Sequence, residues 1–397
     1  RQRQMCIRDS MYKVWDYLRK NTDRRHPTSI AKMRKDEDIN AYIGDKETIN
    51  RLLKDMANIM NLEDGGSDYK PEAEWRLYFD DFKKFYGDKE RYERDDSDED
   101  DSYIANVMRI KNLYYNRTFS EKEVDSIIEG IMATRTLDSK SAQELVRKVE
   151  DNMTTVFYKR TPRHICKVQE PELADRELLK DNLAIIQKAI DDNVRIQFRF
   201  NGYSFEKKLK PVREESDELS PYYIVASGGK YYLLAAKEYE GYKPNMSIWR
   251  IDLMTDIEIP GRNDRLHIKG IPRIPKKNVS NLPEKWSEDF QLKHLNMSFD
   301  KPVPVTLRIK SEKCEDNPKK RVRPGYTFLH DWFGDSFTYI RTETNPPYDD
   351  IVRVECSPYG MAHWALQYSE LVEVLEPESL REDIKSKIKA LNEKYSL

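Results

Sequence analysis

The sequence predicts an α+β, multidomain protein: a helical head, a helical linker, a small β-barrel and a mixed C-terminal unit. Three observations predict it. Apolar residues recur at helical spacing as far as Ile190, and the period switches to two at Asn193. Short strand-like stretches at 205–212, 221–227, 230–237 and 247–254 then crowd together, and closure into a barrel is the arrangement that removes their exposed edges. With 397 residues, the chain has length for several such cores.

The elements follow in order. Arg1–Ser10 lacks the apolar stretch of a signal peptide and is expected to be a non-native or disordered leader ahead of Met11. Residues 11–118 form the head. Val14, Trp15 and Leu18 share a face of its first helix, His26-Pro27-Thr28 breaks that helix, and a short second helix is expected over Ser29–Lys35. Ile49, Leu52, Leu53, Met56, Ile59 and Met60 form the stripe of a third helix, with Asp45 as its cap. Trp75, Tyr78, Phe79, Phe82 and Phe85 suit an aromatic helix face. Glu93–Asp101 reads as a solvated acidic loop: a calcium loop would need glycine where Asp101 stands. Ile104–Tyr115 could supply a hairpin.

Residues 119–190 are the helical linker. Ser120 and Glu123 make a capping box, Val124, Ile127, Ile128 and Ile131 face inward, and Leu145, Val146 and Val149 do so on the next helix. A further helix from near Asp175 packs through Leu178, Leu179, Leu183, Ile186 and Ile190. In the barrel, 191–260, Ile196, Phe198 and Phe200 point one way, and Gly228-Gly229 signals a hairpin. A connector, 261–300, leads to the last unit, 301–397. There Val303, Val305, Leu307 and Ile309 alternate, strands are expected at 337–341 and 351–356, and a terminal helix buries Leu380, Ile384, Ile388 and Leu391.

Charge is balanced, at a net −2, so a nucleic-acid face must be local. No apolar run reaches the ~20 residues that span a bilayer, so no membrane partner is expected. Cys6, Cys166, Cys314 and Cys356 form no CxxC, which argues against zinc or a disulfide framework and for a reducing cytoplasm. HExxH, GxSxG and a complete P-loop are absent, and no cofactor or enzymatic activity is expected.

Two constellations remain. On the third head helix, Asn50 and Arg51 are candidate base readers, with Lys46, Thr48 and Lys54 on phosphate. The same pattern fits an ordinary packing helix with a polar face, and Asp45, Glu47 and Asp55 would repel phosphate. In the barrel, Ser220, Tyr222, Tyr232, Trp249 and Arg250 are candidate ligand contacts. Aromatics beside cations suit bases and phosphates of single strands, and equally suit a small β core.

The stretch Ser220-Pro221-Tyr222-Tyr223-Ile224, Tyr231-Tyr232-Leu233-Leu234-Ala235 and Trp249-Arg250-Ile251-Asp252-Leu253-Met254 resembles the WYL domain of bacterial transcription regulators, with Tyr231 in place of the eponymous tryptophan. Tyr115-Asn116-Arg117-Thr118-Phe119 resembles the segment after their wing. Ala362-His363-Trp364-Ala365-Leu366 and Val372–Pro377 resemble their C-terminal extension, the WCX region. The resemblance implies a winged helix-turn-helix head, an Sm/SH3-like WYL barrel and a ferredoxin-like WCX domain. It implies a homodimer on a double-stranded DNA operator, with a single-stranded nucleic acid or nucleotide as ligand, acting in phage defence, CRISPR control or DNA-damage response in the bacterial cytoplasm at the nucleoid. Ser247, Leu253 and Lys46-Glu47-Thr48 depart from the family's basic pattern. A CRISPR-associated accessory protein that binds single strands without an operator is the alternative.

Overall fold

The computed structural model describes residues 2–42, 46–62, 70–71, 74–80, 110–134, 136–159, 176–310, 313–314, 317–321 and 325–395. Side chains are described for these except at 2–8, 42, 46–47, 54, 176, 313–314 and 317–321. The chain divides into two compact units, Arg1–Glu172 and Leu173–Leu397.

In the first unit, α1 (Gln2–Asn21) runs unbroken through the segment read as a leader. Ser29 caps α2 (Ile30–Met33) by accepting from Lys32 N, and α3 (Glu37–Tyr42) follows where the sequence suggested a single short helix. The longest of the next elements is α4 (Lys46–Asn61). Its Ile49, Leu52, Leu53, Met56 and Ala57 are buried with Val14 and Leu18 of α1, Met33 and Ile39. Ile59 stands outside this core, 69% exposed, because it falls past the edge of the stripe.

The segment expected as an aromatic helix face instead contains β1 (Leu77–Tyr78), antiparallel to β2 (Tyr114–Tyr115). Thr28 bridges Leu113 beside them. Buried side chains tie helices to strands: Asn61 Nδ2 donates to Leu77 O at 2.8 Å, and Tyr115 N donates to Thr22 Oγ1 at 3.0 Å. Phe82, Phe85, Asp45, the acidic run and the first half of the expected hairpin, Ile104–Arg109, lie outside the described residues.

Then α5 (Glu121–Ala133) starts with the expected capping box of Ser120 and Glu123, and α6 (Ser139–Met153) is capped by Asp138. Val124, Ile128, Val146 and Val149 form their shared core. Leu145 is exposed rather than inward, since Val146 and Val149 already fill the facing stripe.

In the second unit, α7 (Arg176–Asp192) lays Leu179, Ile186 and Ala189 on a curled six-stranded sheet. Its strands are β3 (Ile196–Tyr203), β4 (Leu209–Pro211), β5 (Asp217–Ser227), β6 (Lys230–Ala236), β7 (Met246–Arg250) and β8 (Met254–Glu258). The hydrogen-bonded order is β4-β3-β5-β6-β7, and β8 returns to pair with β3. Gly228 and Gly229 take φ of 55° and 70° between β5 and β6, the double positive φ that a tight two-residue hairpin needs.

After α8 (Phe290–Lys293) come β9 (Val303–Ile309), the pair β10 (Lys313–Cys314) and β11 (Asn317–Arg321), α9 (Thr327–Phe333), β12 (Thr338–Thr342), β13 (Asp350–Cys356), α10 (Pro358–Gln367), β14 (Val372–Glu376) and α11 (Glu378–Tyr395). The antiparallel order β12-β13-β9-β14 with helices between makes a βαββαβ, ferredoxin-like layer, as expected. Trp364 is fully buried against Phe333 and Leu329. In α11, Leu380 is buried, whereas Ile388 and Leu391 are 50% and 44% exposed. The sheet is shorter than the helix, so the expected stripe outruns its partner. Among the described residues no helix is long and apolar enough to cross a membrane.

Candidate functional site

On α4, the described side chains separate. Arg51 and Asp55 are exposed, and Thr48 is half-buried. Asn50 is 9% exposed, with its Oδ1 buried and without a hydrogen-bond partner. The expected outward Asn50 is thereby corrected: it sits with the apolar stripe, beside Ile49 and Leu53, and does not present its amide to a base. The side chains of Lys46 and Lys54 lie outside the described residues. Arg51 is the exposed cation that the described part of this face offers.

In the second unit, strand pairing decides which candidates can meet. Tyr232 lies opposite Arg250, and Leu233 opposite Trp249. Alternation therefore puts Tyr232 and Arg250 on one face of β6–β7 and Trp249 on the other. Trp249 packs edge-on against Phe198 and Phe200, at 5.6 and 5.1 Å between ring centroids, and its Nε1 donates to Ser247 Oγ at 2.8 Å. The guanidinium of Arg213 stands 5.9 Å from its ring centroid.

Arg250 is held from behind by Asp252, whose side chain is 1% exposed: Nε donates to Oδ1 at 3.1 Å and Nη2 to Oδ2. Burial pulls the guanidinium down, but the Asp252 hydrogen bonds and charge outweigh it, with Tyr232 and Tyr203 adding to them, and the net direction is up. Asn182 of α7 fixes the turn that carries Asp252, donating to Ile251 O and Met254 O at 3.2 and 2.9 Å.

Ser220 and Tyr222 are engaged elsewhere. Ile274 N donates to Ser220 Oγ at 3.0 Å, and Tyr222 Oη donates to Ile274 O at 2.7 Å. Both are at most 2% exposed. They anchor the connector and offer no free group to a ligand, which corrects their place among the ligand contacts.

Sequence reasoning missed the residues that hold these side chains. Arg273 donates to Pro221 O at 2.7 Å and lies over Tyr222, and Lys276 donates to Tyr223 Oη at 2.8 Å. Buried Asp217 binds Lys237 at 2.9 Å and Arg213 at 3.2 Å. The one sequence signal was the cationic run at 273–277, which reads as a solvated connector. Among the described residues, no cluster of His, Cys, Asp and Glu could hold a metal ion.

Residues 301–391, the ferredoxin-like layer and most of α11, match the model of the WCX domain family. Residues 301–391 are a WCX domain. Its buried Trp364 and the cis Glu376-Pro377 bond that follows β14 belong to the two stretches on which the resemblance rested. Two solved structures are similar at low identity. Proteasome accessory factor B/C of Arthrobacter aurescens is 17% identical over 72% of this chain and 39% of its own, with a TM-score of 0.23, so the chain spans well under half of that protein. A protein described as CRISPR Cas-related is 14% identical over 93% of this chain and 92% of its own, with a TM-score of 0.31. No curated protein matches the chain.

Proposed function

We propose that the chain is a ligand-responsive, DNA-binding transcription regulator of the WYL type. The observation that carries this reading is the WCX match at 301–391, which follows a curled six-stranded sheet bearing Tyr231–Leu233 and Trp249–Arg250. In this reading the first unit is a winged helix-turn-helix and α4 its recognition helix, with Arg51 toward the duplex. The Sm-like barrel receives a single-stranded nucleic acid or nucleotide at Arg250, Tyr232 and Tyr203. The protein acts as a homodimer, so two heads engage half-sites about one helical turn or its multiple apart.

The electrostatics shape the ligand. Asp252 already neutralises Arg250, so each phosphate gains less there than at a free arginine, and ring contacts with Tyr203 and Tyr232 carry more of the affinity. Gel shifts with the duplex upstream of the protein's own gene, against single-stranded oligonucleotides, test the reading. A sequence-selective duplex shift weakened about tenfold by Arg51→Ala supports it. Binding to single strands alone, lost in Arg250→Ala, supports an accessory single-strand binder instead.

A further inference from the structure

Cavities of about 780 and 670 Å³ flank the C-terminal end of α6, and Thr154, Thr155 and Tyr158 line both. What lies between them joins the head to the α5–α6 hairpin. The last turn of α6 carries Glu150 and Asp151 and no basic residue. The helix therefore ends with its own carboxylates beside the negative end of its dipole.

The head supplies the missing cations. Arg19 Nη1 donates to Asp151 O at 3.2 Å and to Asn152 O at 3.1 Å. Arg117, in the segment after β2, donates from Nη1 to Thr22 O at 3.0 Å and from Nη2 to Thr154 O at 3.3 Å. One guanidinium thus grips the ends of α1 and α6 together. Beside it, Val156 N donates to Lys20 O at 3.0 Å, and His26 stacks on Phe157 with ring centroids 4.0 Å apart.

This junction differs from the cores on either side of it. The apolar cluster of the hairpin is separate from that of the head. The Nε of Arg19 and of Arg117 are both buried without an acceptor. Burial also holds Arg117 below the ordinary guanidinium value, and the nearby charge of Asp23 offsets this only in part. A contact built from directional polar groups, bordered by cavities and with unsatisfied donors, exposes little apolar surface when it opens. Such a contact can open while both cores stay folded.

We propose that this double-arginine cap is a releasable joint that fixes the head on the α5–α6 hairpin, with Arg117 as its pin. The chain continues from this joint through residues 160–175 toward α7, so the cap is the last described contact of the head before the second unit begins. The inference stands apart from the DNA-binding reading and needs no ligand to test.

Hydrogen exchange followed by mass spectrometry on the full chain compares wild type with Arg117→Ala, Arg117→Lys and Arg19→Ala. In Arg117→Ala, amides at 19–25 and 154–158 exchange about tenfold or more faster, while those of α4 and those around Ile128 and Val146 keep wild-type rates. Arg117→Lys, which keeps the charge but lacks the planar fork, gives the same local pattern. Should Arg117→Ala fail to fold, Arg117→Lys and Arg19→Ala decide. Acceleration spread evenly through α4 and the hairpin would make the cap part of one cooperative core and overturn the proposal. Unchanged exchange at 154–158 would overturn it as well.

Discussion

His294 shows how one side chain ties pH to stability. It is 5% exposed, stacks on Phe290, and its Nδ1 donates to Ser298 O at 2.7 Å. Burial lowers its pKa below the ordinary histidine value. The unfolded chain therefore binds the proton more tightly than the folded one, and stability rises with pH across that window. The contribution is complete above the ordinary value of about 6.5 and is lost as pH falls from there toward the folded-state value. Urea midpoints should drop as pH is lowered from about 7 to about 5, and His294→Gln should lack that part of the slope. An identical slope in the variant would remove His294 as the cause. Arg250 and Asp252 hold each other in place across a similar depth: the carboxylate sits in the core and the cation reaches toward the surface.

At the scale of elements, the connector and WCX domain meet at a point where backbone approaches backbone. Ser357 caps α10 by accepting from Gly360 N at 3.1 Å, while Ser298 Oγ lies 2.6 Å from Ser357 Oγ. A Cβ on Gly360 would come within 2.6 Å of Leu295 O and 2.7 Å of Ser298 Oγ. Gly360→Ala should therefore cost about 2 kcal/mol or more, read as a lower urea midpoint at unchanged slope. Wild-type stability in that variant would mean the connector can shift aside.

Much at this scale was legible beforehand. The capping box at Ser120, the Gly228-Gly229 turn, the inward Ile196 and Phe198 and the β9 alternation are local signals, and each appears where its residues stand. Arg117 spanning Thr22 and Thr154, Ile274 against Ser220, and Asp217 with Lys237 join residues distant in the chain, and no periodicity announces such pairs. Asn50 was misplaced for a related reason. A polar residue one step from an apolar stripe reads as outward, and burial without a partner is visible only in three dimensions.

For the whole molecule, a helical first unit precedes a second unit in which a curled six-stranded sheet leads to the stretch that matches the WCX domain, and the proposed function requires that a ligand on that sheet prefer one state of the first unit. That preference is a coupling free energy, measurable without knowing the path it takes. The decisive measurement is duplex affinity by fluorescence anisotropy, with and without a short single-stranded oligonucleotide, for wild type and Arg250→Ala. The account predicts that the oligonucleotide changes wild-type affinity for the duplex about fivefold or more, and that Arg250→Ala binds the duplex normally but loses the response. Duplex affinity indifferent to an oligonucleotide that demonstrably binds the protein would contradict it.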